Sequence, residues 1–447
     1  MSEVSMGADD ETDAVSQQPI LKRAWTAFDG LAGDTLWSMA HDVLVLVTAV
    51  TSFLILQSGL SLGEYGAYVG LHSTLAIVGA ICYAGGGLAL LQRLLGEGDE
   101  PKEAMDSFLS LALLGGTFTV VAVTAVAPRI IDLTRWEIFL LAVAELIGGA
   151  LVFVCAMAVQ GAIGFGAATR IKMGAISLRF MTAVALGLSG RISVLAIAAG
   201  FCFVLLSYSL FLLIIHLPKG GYRFTFRRPS RTAVSSTTMF SVPMGASGLQ
   251  TDGDKVMLNY FGLSTEAGLY SAAYRVVMIG ITPLMALDTA AFQRFLPRGD
   301  GEKGLHWRRS VRLGGLMIAA SAVVVAGIYL FLPVFEFLLL RDEKFRQAID
   351  VVPWLLPIIP LVATSNAPLN GLLGLGLPRL RMNIYIASAI VSLVLYALLI
   401  PMWGWKGAVV ATIASEVSLS ILGWSLLWRA QRAADRAADD LEERLSV

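Results

Sequence analysis

Eight ionisable side chains stand inside stretches of sequence that are otherwise apolar: Asp42, Glu145, Asp252, Asp254, Lys255, Arg275, Asp288 and Glu416. A charge in such a setting is costly, so it marks an ion pair, a relay or a pathway. Acids outnumber bases among them. Asp42, Glu145, Asp254 and Glu416 are therefore candidates to couple the protein's work to a cation, H⁺ or Na⁺, because burial brings a carboxylate's protonation towards neutral pH. A structural hydrogen bond between helices is an equally good reading for each residue taken singly. Asp34 and Asp288 lie near the ends of their apolar runs, where interfacial hydration explains them.

The densest polar stretch is "GASGLQTDGDK" at 245–255. On a regular helix Asp252, Lys255 and Asn259 share one face by three- and four-residue spacing. Asp254 then points away, unless the helix is broken at Gly253, and broken spans line cavities in transporters. A plain Asp–Lys pair holding helices together weighs the same. Lys255 and Arg275 are each ten residues from the turn at Thr265, or about 15 Å of helix. On antiparallel neighbours they come to one depth. Two cations there could hold a diphosphate, Arg275 in bidentate fashion, or could neutralise Asp252 and Asp254. Lys255, Arg275 and Asn259 are the candidate substrate ligands.

Other chemistry has no footing. The chain has no GxxxxGK[ST] to cradle a nucleotide triphosphate. His41, His72, His216 and His306 are scattered and form no HExxH. Cys82, Cys155 and Cys202 sit singly in apolar runs, which reads as packing rather than a disulfide or zinc site. No enzyme, cofactor, metal or nucleic-acid partner is expected, and a net charge of zero says nothing about partners.

These residues need elements to hold them. The chain has 447 residues, 56% hydrophobic and 15% charged, with mean hydropathy +0.72. The apolar residues come in runs of about 20, the length that spans a bilayer core of roughly 30 Å. The runs fall near 34–57, 67–91, 105–127, 138–162, 173–190, 193–217, 237–262, 268–293, 313–335, 351–375, 383–402 and 405–428. The expected fold is all-α and integral to the membrane, with about twelve transmembrane helices. It divides into an N-terminal tail (1–33), an N-lobe (34–217), a basic linker (218–236), a C-lobe (237–428) and a C-terminal tail (429–447) that extends the last helix. Residues 1–20 are polar and acidic and read as disordered. With both termini cytoplasmic, 24 of the 33 Lys and Arg residues, Arg170, Lys172 and Arg179 among them, fall on the cytoplasmic side and seven opposite. That bias favours this orientation and an even number of crossings.

The linker separates two halves with similar turns: "GLSLGEYGAY" at 59–68 and "GLSTEAGLY" at 262–270. Each follows the first helix of its half, which points to two parallel six-helix repeats. Several stretches of the second half resemble the polysaccharide flippase family, within the multidrug/oligosaccharidyl-lipid/polysaccharide export superfamily. They are "FSVPMG" at 240–245, "DKVMLNYFGLSTEAGLYSAAYR" at 254–275, "LRDEKFRQAI" at 340–349, "GLGLPRLRMN" at 374–383 and "LIPMWGWKGAVVAT" at 399–412, where glycine and alanine let two helices approach.

The resemblance implies a V-shaped, alternating-access transporter of two lobes in the bacterial inner membrane. It would move undecaprenyl-diphosphate-linked oligosaccharide while the lipid tail stays in membrane lipid. A polysaccharide polymerase and glycosyltransferases would be its partners. The alternative is an ion-coupled, multidrug-type exporter of the same fold. An enzyme of polysaccharide assembly is a third reading, against which the short outer loops count.

Overall fold

The computed structural model describes residues 20–95, 101–219, 222–292, 305–339 and 342–445, and the acidic stretch before them lies outside the described residues. Among the described residues eleven helices are long and apolar enough to cross a membrane. We label the long helical runs α1 (Ile20–Gly59), α2 (Leu62–Leu95), α3 (Pro101–Val126), α4 (Arg135–Ala162), α5 (Phe165–Ser189) and α6 (Val194–His216). The second half follows with α7 (Arg231–Tyr260), α8 (Ser264–Phe292), α9 (Leu305–Leu330), α10 (Val352–Gly374), α11 (Pro378–Trp403) and α12 (Trp405–Leu445). The protein is a multi-pass membrane protein. The twelfth long helix is α7, 30 residues long but too polar to count as an apolar span. Such a helix is tolerated at membrane depth because α2, α8 and α11 pack around it.

The boundaries shift from the sequence expectation in three places. The fifth run begins at Phe165, not 173, so Arg170 and Lys172 join Arg179 in the helix. Helix α7 begins at Arg231, inside the stretch read as linker. Helix α1 begins at Ile20, inside the stretch read as a tail. Helix α12 continues to Leu445, as the helix-forming composition of its end implies.

Successive helices alternate in direction, so the α1–α2 and α7–α8 turns share one face, here the rim. The opposite face, the base, carries residues 222–230. Helices α1 to α6 form one lobe and α7 to α12 the other. At the rim, Ser61 and Glu64 form a capping box at the start of α2. The matching acid of the second turn, Glu266, reaches α12 instead and accepts from the Trp405 backbone N–H at 2.6 Å. The α11–α12 turn is close, because a Cβ at Gly407 would overlap the Leu399 carbonyl.

The two lobes meet differently on their two sides. Helix α7 runs antiparallel along α2 for its whole length: Thr237 lies by Gly86, Ser241 by Gly85, Gly245 by Ile81, Gly248 by Ile77 and Asn259 by Gly70. The pseudo-symmetric partner, α1 against α8, lacks that contact. No residue from 37 to 52 of α1 is buried, whereas Phe53, Leu56 and Leu60 near the rim are. Helix α1 leans on α5 of its own lobe, with Trp37 beside Gly166 and Ile55 beside Gly187. The interlobe space is thus closed along α2–α7 and at the rim, and loosely lined along the base half of α1.

The base-side linker is held in place. Thr225 N–H donates to Asp106 Oδ1, Arg227 N–H to Ser110 Oγ and Ser230 N–H to Ser107 Oγ, each at 3.0 Å. Arg227 Nη1 also pairs with Glu103 Oε1 at 2.6 Å. Extended backbone with no sheet partner gets its hydrogen bonds from one face of α3.

Candidate functional site

The polar stretch of α7 folds as a continuous helix through Gly253. The break considered from sequence is absent, yet both aspartates reach the same cation. Lys255 Nζ lies 2.8 Å from Asp252 Oδ1 and 3.4 Å from Asp254 Oδ1. It also donates to the Thr251 carbonyl at 3.1 Å and sits 4.5 Å from the centroid of the Tyr274 ring. The four-carbon lysine stem folds back over one turn, and Tyr270 of α8 satisfies the far oxygen of Asp254 at 2.5 Å. A break is unnecessary because α8 supplies that donor. Lys255 is 7% exposed at its side chain and Asp254 1%.

Asn259 is fully buried. Its amide donates to the Gly66 carbonyl at 3.1 Å and to the Lys255 carbonyl at 2.9 Å, and its oxygen accepts from Ser264. The residue ties α2, α7 and α8 together at the rim. Arg275 is one residue beyond Tyr274, so Lys255 and Arg275 do meet at one depth. Arg275 is half-buried and faces Tyr65 and Tyr68 of α2. No carboxylate among the described residues is within ion-pair distance of it.

Glu145 stands in a π-helical turn of α4, Ala144–Gly149. Such turns add a residue to the helix and re-aim a side chain. Its partner is Arg179 of α5, with Nη2 2.6 Å from Oε2. Sequence reading placed Arg179 in a cytoplasmic segment and so missed this pair; the signal was an arginine in an apolar run continuous from Phe165. His72 of α2 lies beside it, Nδ1 3.7 Å from Glu145 Oε1, and also faces Asp252 and Arg275 of the other lobe. Ser73, next to it, donates to Asp252 Oδ1 at 3.4 Å. His72 was read as one of four scattered histidines, yet the fold puts it at the centre of the charged residues.

The remaining acids lie apart from this cluster. Asp42 contacts His41 Nδ1 at 3.1 Å, in the loosely lined part of α1. Glu416 of α12 is buried and accepts from Gln250 Nε2 at 3.0 Å. Its second oxygen faces Ser365 without a well-formed hydrogen bond. Asp288 accepts from Asn370 at 3.1 Å, a plain interhelical bond. Three acids (Glu145, Asp252, Asp254) and three bases (Arg179, Lys255, Arg275) thus gather around His72, from both lobes. Such an arrangement can neutralise or orient an anion entering between the lobes.

Among the described residues, twelve long helices form two lobes that meet at a rim around internal charges. The solved structures carry the comparison further. An inward-facing multidrug resistance MATE family transporter of the MOP superfamily superposes with TM-score 0.71 at 15% identity, over 89% of this chain and 99% of that one. The lipid II flippase MurJ, in an inward closed conformation, superposes with TM-score 0.67 at 12% identity, over 87% of this chain and 86% of that one. An outward-facing multidrug resistance MATE family transporter of the MOP superfamily gives TM-score 0.60 at 15% identity, over 90% of this chain and 96% of that one. The chain therefore has the fold shared by MATE transporters and the MurJ flippase. No family profile and no curated protein matches it.

Proposed function

We propose that the chain translocates undecaprenyl-diphosphate-linked oligosaccharide across the bacterial inner membrane, with the base in the cytoplasm. One observation carries the reading. Arg275 sits at membrane depth on the wall between the lobes, with no carboxylate among the described residues at ion-pair distance. A guanidinium there that faces tyrosines rather than a bound carboxylate is costly unless an anion comes to it. A diphosphate supplies one, and a planar fork suits it. Lys255, already held by two aspartates, contributes field rather than a free hand. The loosely lined side along α1 supports the same reading, since a lipid tail must remain in the bilayer while its head group is enclosed. Polymerase and glycosyltransferases of a surface glycan are the partners this reading implies. Reporter fusions after residues 60, 132, 265 and 343 should then lie outside, and those after 98, 225, 303 and 380 inside.

A multidrug-type exporter of the same fold is the rival, and Asp42 is the observation that favours it. A half-buried carboxylate on the loosely lined helix is what a cationic solute would seek. Proteoliposomes separate the two. The flippase reading expects movement of a fluorescent lipid-linked oligosaccharide, loss of it in Arg275→Ala and partial activity in Arg275→Lys. Transport of a cationic dye that is indifferent to Arg275 but lost in Asp42→Asn would establish the exporter instead.

A further inference from the structure

We infer that His72 is a proton-binding group of the interlobe space, and that its proton is taken up together with the anion that enters there. The first arm stands on geometry alone; the second rests on the proposed function.

The imidazole is held in aim. Its ring stacks on Tyr68, four residues earlier on α2, with centroids 6.2 Å apart and planes at 12°. Its Nδ1 lies 3.7 Å from Glu145 Oε1. Glu145 is 9% exposed, and this oxygen is buried without any hydrogen-bond partner, while the other is taken by Arg179. A buried acceptor left without a donor is costly. A shift of less than one ångström would let a protonated His72 donate to it, and only the imidazolium offers a donor on both ring nitrogens at once. The side chain is 43% exposed, so protons reach it from the interlobe space.

The surrounding charge sets what the proton does. Glu145 from α4, Arg179 from α5, Asp252 from α7 and Arg275 from α8 face the ring. Two acids and two bases cancel, and Lys255 with Asp254 adds another cancelling pair behind Asp252. With His72 neutral the junction carries no net charge. Protonation leaves one positive charge unbalanced, and an entering diphosphate removes that imbalance. Proton and anion therefore favour each other by linkage: the anion-bound state holds the proton more tightly, so binding draws a proton in and weakens as pH rises. A histidine does this in the range where a carboxylate paired to arginine stays ionised.

Two measurements on the full-length protein in detergent test it. The ring C–H resonances of the four histidines, assigned with His72→Asn, are followed between about pH 5 and 8. His72 should titrate in that window, and Glu145→Gln should move its midpoint to lower pH by removing the negative charge that faces it. A His72 resonance that stays fixed, or a midpoint indifferent to Glu145→Gln, overturns the site. Farnesyl diphosphate is then titrated calorimetrically in buffers of different ionisation enthalpy. Compared with His72→Asn or His72→Gln, the wild type should take up about one more proton per ligand and lose affinity about tenfold more per pH unit. Equal proton uptake in wild type and both variants overturns the linkage. Failure of the wild type to bind farnesyl diphosphate at any pH would sink the proposed substrate class and the linked arm with it, while the titration of His72 still decides the first arm.

Discussion

Gly66 and Gly268 face each other across the lobe junction in a reciprocal contact. A Cβ on Gly66 would overlap the Ser264 carbonyl oxygen and approach the Gly268 N to 2.6 Å. A Cβ on Gly268 would overlap the Leu62 carbonyl and approach the Gly66 N to 3.2 Å. Leu62 is to Gly66 what Ser264 is to Gly268, four residues earlier in each turn. A contact in which i meets j and j meets i is what a two-fold axis produces, here within one chain. The axis passes between these glycines, at the rim.

Alanine at either glycine should force the rim apart, since backbone cannot rotate away as a side chain can. Overpacking of this kind costs about 1–3 kcal/mol. Gly66→Ala and Gly268→Ala should each lower the thermal midpoint in detergent and raise thiol labelling of a cysteine introduced at Ser264. The reciprocal geometry adds a sharper expectation: the double variant should cost less than the sum, because the first substitution has already separated the helices. Strict additivity would mean that the two positions do not share one contact.

Phe345 latches the rim from the other direction. It belongs to the segment between α9 and α10, yet is fully buried against Phe53 of α1 and Tyr65 of α2. Ring centroids of 5.8 and 5.5 Å at steep angles are favourable aromatic contacts. Phe345→Ala removes this C-lobe plug from the N-lobe, and core truncations of phenylalanine cost about 3–5 kcal/mol. The expected result is a rim that opens: spin labels placed near Glu64 and Thr265 should show longer distances, with Phe345→Leu intermediate. Unchanged distances in Phe345→Ala would show the plug to be filling rather than latch.

The helices and the lobe division were legible because hydrophobic runs near 20 residues have one solution in a bilayer. Helix α7 was legible only as the polar exception, and its sequence alone could not say that it stays unbroken. Tyr270, sixteen residues on, decides that by meeting Asp254. Depth matching of Lys255 and Arg275 followed from counting along a hairpin, a local property. His72 and the Glu145–Arg179 pair were not legible, because α2, α4 and α5 meet there through tertiary packing that no spacing encodes. Arg179 lies inside the expected fifth run, but counting it among the cytoplasmic basic residues hid it as a charge within the span. The asymmetry between α1–α8 and α7–α2 is also tertiary, since a sequence repeat predicts equal contacts.

The linker should behave as a strap. Asp106, Ser107 and Ser110 accept its backbone N–H groups, and each such bond contributes on the order of 1 kcal/mol, more for the carboxylate. Asp106→Ala with Ser110→Ala should leave expression intact and speed tryptic cleavage at Arg227 and Arg231 by roughly thirtyfold, the ratio that about 2 kcal/mol of local opening energy implies. Cleavage at an unaltered rate would show that the linker is held by something other than α3.

The Lys255 cluster allows a charge-balance argument. Lys255→Ala leaves Asp252 and Asp254 facing each other's field without a cation. Breaking one side of a buried pair costs about 3–5 kcal/mol, more than removing both sides. Asp254 keeps a donor from Tyr270 and another from the backbone N–H of residue 255 at 2.7 Å, so it tolerates the loss better than Asp252 does. The charge-balanced change Lys255→Ala with Asp252→Ala should therefore recover most of the folded protein that Lys255→Ala loses. Transport then separates the two roles proposed for Lys255. If the double variant moves lipid-linked oligosaccharide as well as the wild type, Lys255 serves only to neutralise aspartates, and Arg275 is the cation that meets substrate. If it folds and inserts normally but does not transport, Lys255 is needed at the anion itself.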